Sequence, residues 1–82
     1  MIEFMVCKKG GTNKYINEWI HETMKIFKDY GFDNLKILHR SNELDVTAIY
    51  VKCFDKQFNE LMANSNLVID QTVRGIHFMK SV

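Results

Sequence analysis

The sequence predicts a single α+β domain, because segments with the two-residue period of β-strands alternate with segments that have the helical period. Residues 2–8 and 35–40 alternate along the chain, and residues 44–53 are rich in β-branched side chains. Residues 13–30 repeat apolar side chains at helical spacing. The chain has 82 residues, 46% of them hydrophobic and 26% charged, which is the size and composition of one folded domain.

The first strand and the first helix have the clearest patterns. Two glycines follow strand 2–8 and end it, and Thr12 or Asn13 is a suitable N-cap for the helix that follows. Gly31 provides its C-terminal stop. The apolar stripe of this helix consists of Ile16, Trp19, Ile20, Thr23, Phe27 and Tyr30.

The remaining elements are a hairpin, a short helix and a last strand. Residues 35–40 and 44–53 are predicted to pair through a turn at residues 41–43. Asp55 is the expected cap of a second helix, and the tail, 67–80, is expected to be one extended strand, bent or bulged near Gly75. The apolar positions of the second helix are Phe58, Leu61 and Met62.

The order strand, helix, strand, strand, helix, strand resembles the ferredoxin-like βαββαβ fold over nearly the whole of residues 1–82. This resemblance implies a four-stranded antiparallel sheet in the order 4-1-3-2. Both helices then cover one face, and the other face is open. The helix-covered face is expected to hold Ile2, Phe4, Val6, Leu35, Ile37, Thr47, Ile49 and Val51.

The same alternation predicts the composition of the open face. It receives Glu3, Met5, Cys7, Lys36, Leu38, Arg40, Val46, Ala48, Tyr50 and Lys52. If Ile76 and Phe78 point inward, Gly75, His77 and Met79 join it. A surface of this kind is too apolar to be only solvated, so it predicts an interface with a partner or a second copy. The interface residues we expect are Met5, Leu38, Tyr50, His77 and Met79.

Cations and small polar residues cluster where the first strand turns into the first helix. The ferredoxin-like arrangement brings this turn to the same edge of the sheet as the central hairpin turn. Helix N-termini favour anions, so the cluster predicts an anion-binding or nucleic-acid-binding edge. We call this set the basic edge: Lys8, Lys9, Gly10, Gly11, Asn13, Lys14, Tyr15 and Arg40, with Lys52 as a further phosphate contact and Tyr15 or Tyr50 as the stacking ring.

No motif for catalysis, metal binding or cofactor binding is present in the sequence. It lacks GxSxG, Walker A and HExxH patterns, and its three histidines are not spaced as a ligand pair. Acylphosphatases of this fold have an arginine in the turn after the first strand, and the small CRISPR-associated nucleases have an aspartate at its end; both residues are missing here. Cys7 and Cys53 are expected about 15 Å apart, as free thiols.

The expected function is therefore non-enzymatic binding. A net charge of +1 gives no general attraction to nucleic acid, so any such contact depends on local clustering. RRM domains stack bases on the first and third strands, where this chain offers Met5 and Tyr50, a single aromatic ring. We expect a cytoplasmic regulator, without a membrane span, that contacts single-stranded RNA or an RNA–protein complex. A phage-type inhibitor of a host protein fits the size and composition, and the alternative is a homodimeric or partner-binding module without nucleic acid.

Overall fold

The computed structural model describes residues 1–40 and 45–82, without the side chains of His39 and Arg40. The predicted turn at residues 41–43 lies outside the described residues. Neither of the described helices is long and apolar enough to cross a membrane. In chain order, the elements are β1 (Ile2–Lys9), α1 (Asn13–Asp29), β2 (Leu35–Arg40), β3 (Val46–Cys53), α2 (Asp55–Asn64), β4 (Leu67–Val73) and β5 (Ile76–Ser81).

The sheet corrects the predicted fold class. It is a five-stranded mixed sheet in the order β2-β3-β1-β5-β4, whereas a four-stranded antiparallel sheet in the order 4-1-3-2 was predicted. The first six elements follow the predicted strand and helix order, and β3 pairs antiparallel with both β1 and β2. The difference lies in β5, which pairs parallel with β1 and separates it from β4.

The extra strand arises because the predicted final strand, 67–80, is a hairpin. Arg74 and Gly75 connect β4 to β5 with φ angles of 52° and 81°. Two consecutive positive φ values are the geometry of the tight turn that best matches the twist of paired strands. A bulge between Ile69 and Gln71 shifts the register within the hairpin. The turn sends the chain back beside β1, so β4 is displaced to the edge of the sheet.

The hairpin also reverses the predicted register of the last strand. His77 is paired with Phe4 and Met79 with Val6, so both lie on the helix-covered face. Met79 belongs to the core with 7% of its surface exposed, and the ring of His77 stacks on Phe58 with their centroids 5.8 Å apart. The prediction that His77 and Met79 lie on the open face is therefore wrong.

Both helices pack on one face of the sheet around Phe4, which is fully buried. Its ring lies 5.6 Å from Phe27 of α1, 6.0 Å from Phe32 and 5.5 Å from Phe58 of α2. Gly31, with a φ of 82°, ends α1 as predicted. The N–H of Phe32 then donates to the carbonyl of Phe27 at 3.0 Å, and this C-terminal cap turns Phe32 into the core. The partly buried Trp19 packs against this cluster.

Candidate nucleic-acid interface

The face of the sheet that carries no helix is the open face. Neighbouring paired residues project to the same side of a sheet, so the registers of the four strand pairs define which residues share it. Its described side chains are Glu3, Met5, Cys7 and Lys9 of β1, Lys36 and Leu38 of β2, Val46, Ala48, Tyr50 and Lys52 of β3, Val68, Gln71 and Val73 of β4, and Ile76, Phe78 and Lys80 of β5.

Two aromatic rings and a methionine form a row across the centre of the open face. Met5 is paired with Tyr50 of β3 on one side and with Phe78 of β5 on the other. The strand spacing puts the Cα atoms of the two aromatic residues about 10 Å apart. All three side chains are partly exposed, so they are fixed by their neighbours and still accessible to a ligand. We call Tyr50, Met5 and Phe78 the platform row.

Sequence reasoning missed Phe78 because it assigned the opposite register to β5. The missing signal was the Arg74-Gly75 pair between two alternating segments, which is a hairpin signal of moderate strength. Of the other predicted interface residues, Met5, Leu38 and Tyr50 lie on the open face. Leu38 is 41% exposed.

Tyr50 is oriented by a hydrogen bond that its hydroxyl donates to the carboxylate of Glu3. This bond, together with burial and the negative charge of Glu3, raises the pKa of Tyr50. The hydrogen bond holds the ring of Tyr50 toward the end of the face where Glu3 and Lys52 are paired.

Lysines surround the platform row. Lys9, Lys36 and Lys52 are exposed and form no ion pair with any other described residue. Lys80 lies 3.3 Å from the carboxylate of Asp70, which sits at the bulge in β4. The one carboxylate among the paired open-face residues belongs to Glu3, and it accepts the bond from Tyr50. The described part of the open face is therefore positively charged around an aromatic centre.

The turn of the basic edge is rigidly defined. Gly10 and Gly11 have φ angles of 70° and 96°, and the N–H of Gly10 donates to the carbonyl of Asp45 at 2.9 Å. A Cβ on Gly11 would lie 2.8 Å from Cδ1 of Tyr15, so both backbone and contact require glycine there. Thr12 caps α1 by accepting from the N–H of Tyr15 at 3.2 Å.

The predicted members of the basic edge lie in three places. One place is the β1–α1 connection, with Lys8 and Lys9 at the end of β1, Gly10 and Gly11 in the turn, and Asn13, Lys14 and Tyr15 in the first turn of α1. Within it, Lys9 lies on the open face, whereas the Lys8 ammonium lies 5.0 Å from the centroid of the Tyr15 ring. Lys52 lies at the far end of β3, about 20 Å from Lys9 at the usual rise of a strand. Arg40 ends β2 opposite Val46, and its side chain is outside the described part.

The two cysteines are free thiols at opposite ends of the β1–β3 pair, as predicted. Cys7 is exposed and Cys53 is buried. Desolvation raises the pKa of both thiols, and in Cys7, which is exposed as a residue, it comes from the atoms packed around the sulfur. Neither is therefore an activated nucleophile.

Among the described residues, the sheet is adjoined by a concavity on its helix side and by another at one corner of the open face. One, of about 270 Å³, lies on the helix side between α1, the start of β4 and the end of β5, and includes Trp19, Ile26 and Met79 in its lining. The other, of about 440 Å³, lies beside Tyr50 at the corner where β2 begins and β3 ends. No protein-family model, no curated protein and no solved structure matches this chain.

Proposed function

We propose that this protein binds single-stranded RNA on its open face. In this proposal, unpaired bases stack on Tyr50 and Phe78, and the exposed lysines Lys9, Lys36 and Lys52 attract the phosphates. The observation that supports it most directly is the platform row, since Met5 is paired with Tyr50 on one side and with Phe78 on the other. Aromatic rings combined with cations are the usual elements of single-strand binding.

The shape of the surface favours an unpaired strand over a duplex. Bases in a duplex are stacked on one another and present only their edges, whereas a sheet face offers rings to bases that are splayed out. Each base that stacks on an aromatic ring contributes about 1–3 kcal/mol. Neither a basic recognition helix nor an arm of the kind that enters a DNA groove appears among the described residues. The protein is then a non-enzymatic regulator, acting in the cytoplasm where such RNA is available.

The charge of the open face disfavours a second copy of this chain as its occupant. A symmetric dimer through this face would bring the lysines of one copy close to those of the other, and like charges at an interface cost free energy. The same lysines attract an anionic partner and strengthen its binding. A homodimer without nucleic acid is the competing outcome, and the test below detects it.

Fluorescence anisotropy with a labelled single-stranded oligouridine at low salt tests the proposal. Tyr50→Leu and Phe78→Leu should each weaken binding by about tenfold, because each removes one stacking ring. Tyr30→Leu is the matched control, since Tyr30 is also partly buried but lies on the helix side next to Phe32. It should leave affinity unchanged.

Charge-reversal variants test the proposal in a second, independent experiment. Lys36→Glu with Lys52→Glu should weaken binding strongly and reduce its salt dependence, because fewer phosphate counterions are released. Lys25→Glu with Lys28→Glu on α1 is the matched control. Absence of binding by the unmodified protein contradicts the proposal, as does equal loss in test and control variants. A dimeric mass that Tyr50→Leu converts to a monomer indicates the homodimer instead.

A further inference from the structure

The concavity beside Tyr50 lies at one corner of the open face, and four of its six lining residues have charged or amide side chains. It has a volume of about 440 Å³ and is lined by Asp33, Asn34, Leu35, Lys36, Tyr50 and Lys52. The backbone fixes its shape, since the N–H of Lys52 donates to the carbonyl of Asn34 at 3.2 Å. Tyr50 belongs both to this concavity and to the platform row, so a strand lying on the platform reaches it directly. We call it the corner pocket.

The polar side chains of the corner pocket are available to a ligand. The carboxylate of Asp33 and the side-chain amide of Asn34 form no hydrogen bond or ion pair with any other described residue. The same holds for the ammonium groups of Lys36 and Lys52. One acceptor group, one amide and two cations therefore converge beside the ring of Tyr50.

These groups match the parts of one nucleotide. The ring of Tyr50 stacks a base. Lys36 is paired with Tyr50 on the neighbouring strand β2, and Lys52 lies two residues after Tyr50 on β3, so both lysines flank the ring and attract the phosphate. A carboxylate only accepts hydrogen bonds. Guanine presents two adjacent N–H donor groups on its Watson–Crick edge, whereas adenine, uracil and cytosine have no such adjacent pair of donor groups there. The amide of Asn34 is then available to donate to the guanine carbonyl.

We propose that the corner pocket holds one nucleotide of the bound RNA and selects guanine through Asp33. This proposal rests on the proposed function, because the pocket is a subsite of the same surface. A single well-formed pair of hydrogen bonds to a base discriminates by roughly tenfold or more. Asp33 is the specificity-determining residue, and Tyr50 and the lysines supply affinity that does not depend on the base.

The test compares a short oligouridine with oligomers in which one uridine is replaced by guanosine, adenosine or cytidine. The guanosine-containing RNA should bind about tenfold more tightly than the others. Asp33→Asn should remove that advantage, measured within the variant as the ratio of its affinities for the guanosine-containing RNA and for oligouridine. Asp29→Asn, an exposed aspartate at the end of α1, is the matched control and should keep the preference.

The outcomes separate the two proposals. Equal affinity for all four oligomers, or a guanine preference that persists in Asp33→Asn, overturns the guanine pocket while RNA binding itself stands. Failure of every oligomer to bind overturns both. Because Asp33 is exposed, Asp33→Asn should melt at the same temperature as the unmodified protein, and this measurement excludes misfolding as the cause of a changed preference.

Discussion

The Glu3–Tyr50 pair shows how one cross-strand contact sets the state of the open face. The alternation of β1 and β3 predicts that both residues lie on this face. The hydrogen bond between them depends on side-chain orientation, which alternation does not specify. The bond raises the pKa of Tyr50 and fixes its ring beside Met5.

Glu3→Gln should lower the pKa of Tyr50 toward its ordinary value, because the substitution removes the charged acceptor that raises it. The pKa of Tyr50 is higher in the folded than in the unfolded chain. The stabilisation from the bond is therefore complete below the ordinary tyrosine pKa and is lost as the pH rises through the folded value. Tyrosinate absorbance measured during an alkaline titration reports the change, and Tyr50→Phe identifies which step belongs to Tyr50.

An unchanged titration curve in Glu3→Gln would show that the bond does not control Tyr50. Glu18→Gln, an exposed glutamate on α1, serves as the control and should titrate like the unmodified protein.

At the scale of elements, the sequence correctly predicted the helix and strands that have a strong local period. It was wrong about the last strand, which is the β4–β5 hairpin. Helix α1 and strands β1, β2 and β3 begin and end within about two residues of their predicted bounds. The segment after α2 has apolar side chains in both phases, with Ile76 and Phe78 in one and Met79 in the other. The alternation therefore does not determine which of these residues point toward the helices and which lie on the open face. Arg74 at the first turn position also weakens the hairpin signal, since asparagine or glycine is usual there.

Gly75→Ala should lower the free energy of unfolding by about 1 kcal/mol, because the left-handed backbone conformation at this position is unfavourable for alanine and unstrained for glycine. Nothing lies within 4 Å of a Cβ built on Gly75, so the cost is one of backbone conformation alone. Arg74→Asn should change stability in the opposite direction by a smaller amount, since asparagine tolerates a positive φ better. Urea unfolding measures both.

If the tail were one continuous strand, Gly75→Ala would be neutral or stabilising and Arg74→Asn would be unfavourable. That pair of results would contradict the hairpin and the placement of Phe78 that depends on it.

At the scale of the whole molecule, the β4–β5 hairpin determines which residues lie at the centre of the open face. The predicted antiparallel sheet had one aromatic residue at its centre, and the insertion of β5 beside β1 adds Phe78 and completes the platform row. The sequence was sufficient to predict a helix-covered core around Phe4 and an open face with Met5, Leu38 and Tyr50. It was insufficient for the second ring and for the corner pocket, because both depend on long-range register and loop placement.

The basic edge contributes fewer residues to the open face than the sequence predicted. Its turn is present, but Lys8 lies over Tyr15 and away from the platform row, so Lys9 is its contribution to the open face. Lys52 lies at the opposite end of β3 and joins the corner pocket. The exposed lysines are therefore spread across the open face, with Lys9 at one end and Lys36 and Lys52 at the other.

The most direct test of RNA binding on the open face is an NMR titration of methyl-labelled methionines with single-stranded RNA. Met5 lies in the platform row, Met24 and Met62 are partly buried on the helix side, and Met79 is in the core. We expect the methyl signal of Met5 to shift in proportion to bound RNA while those of Met24, Met62 and Met79 stay unchanged. Shifts of Met24 or Met62 with an unmoved Met5, or no shift at saturating RNA, would contradict the account.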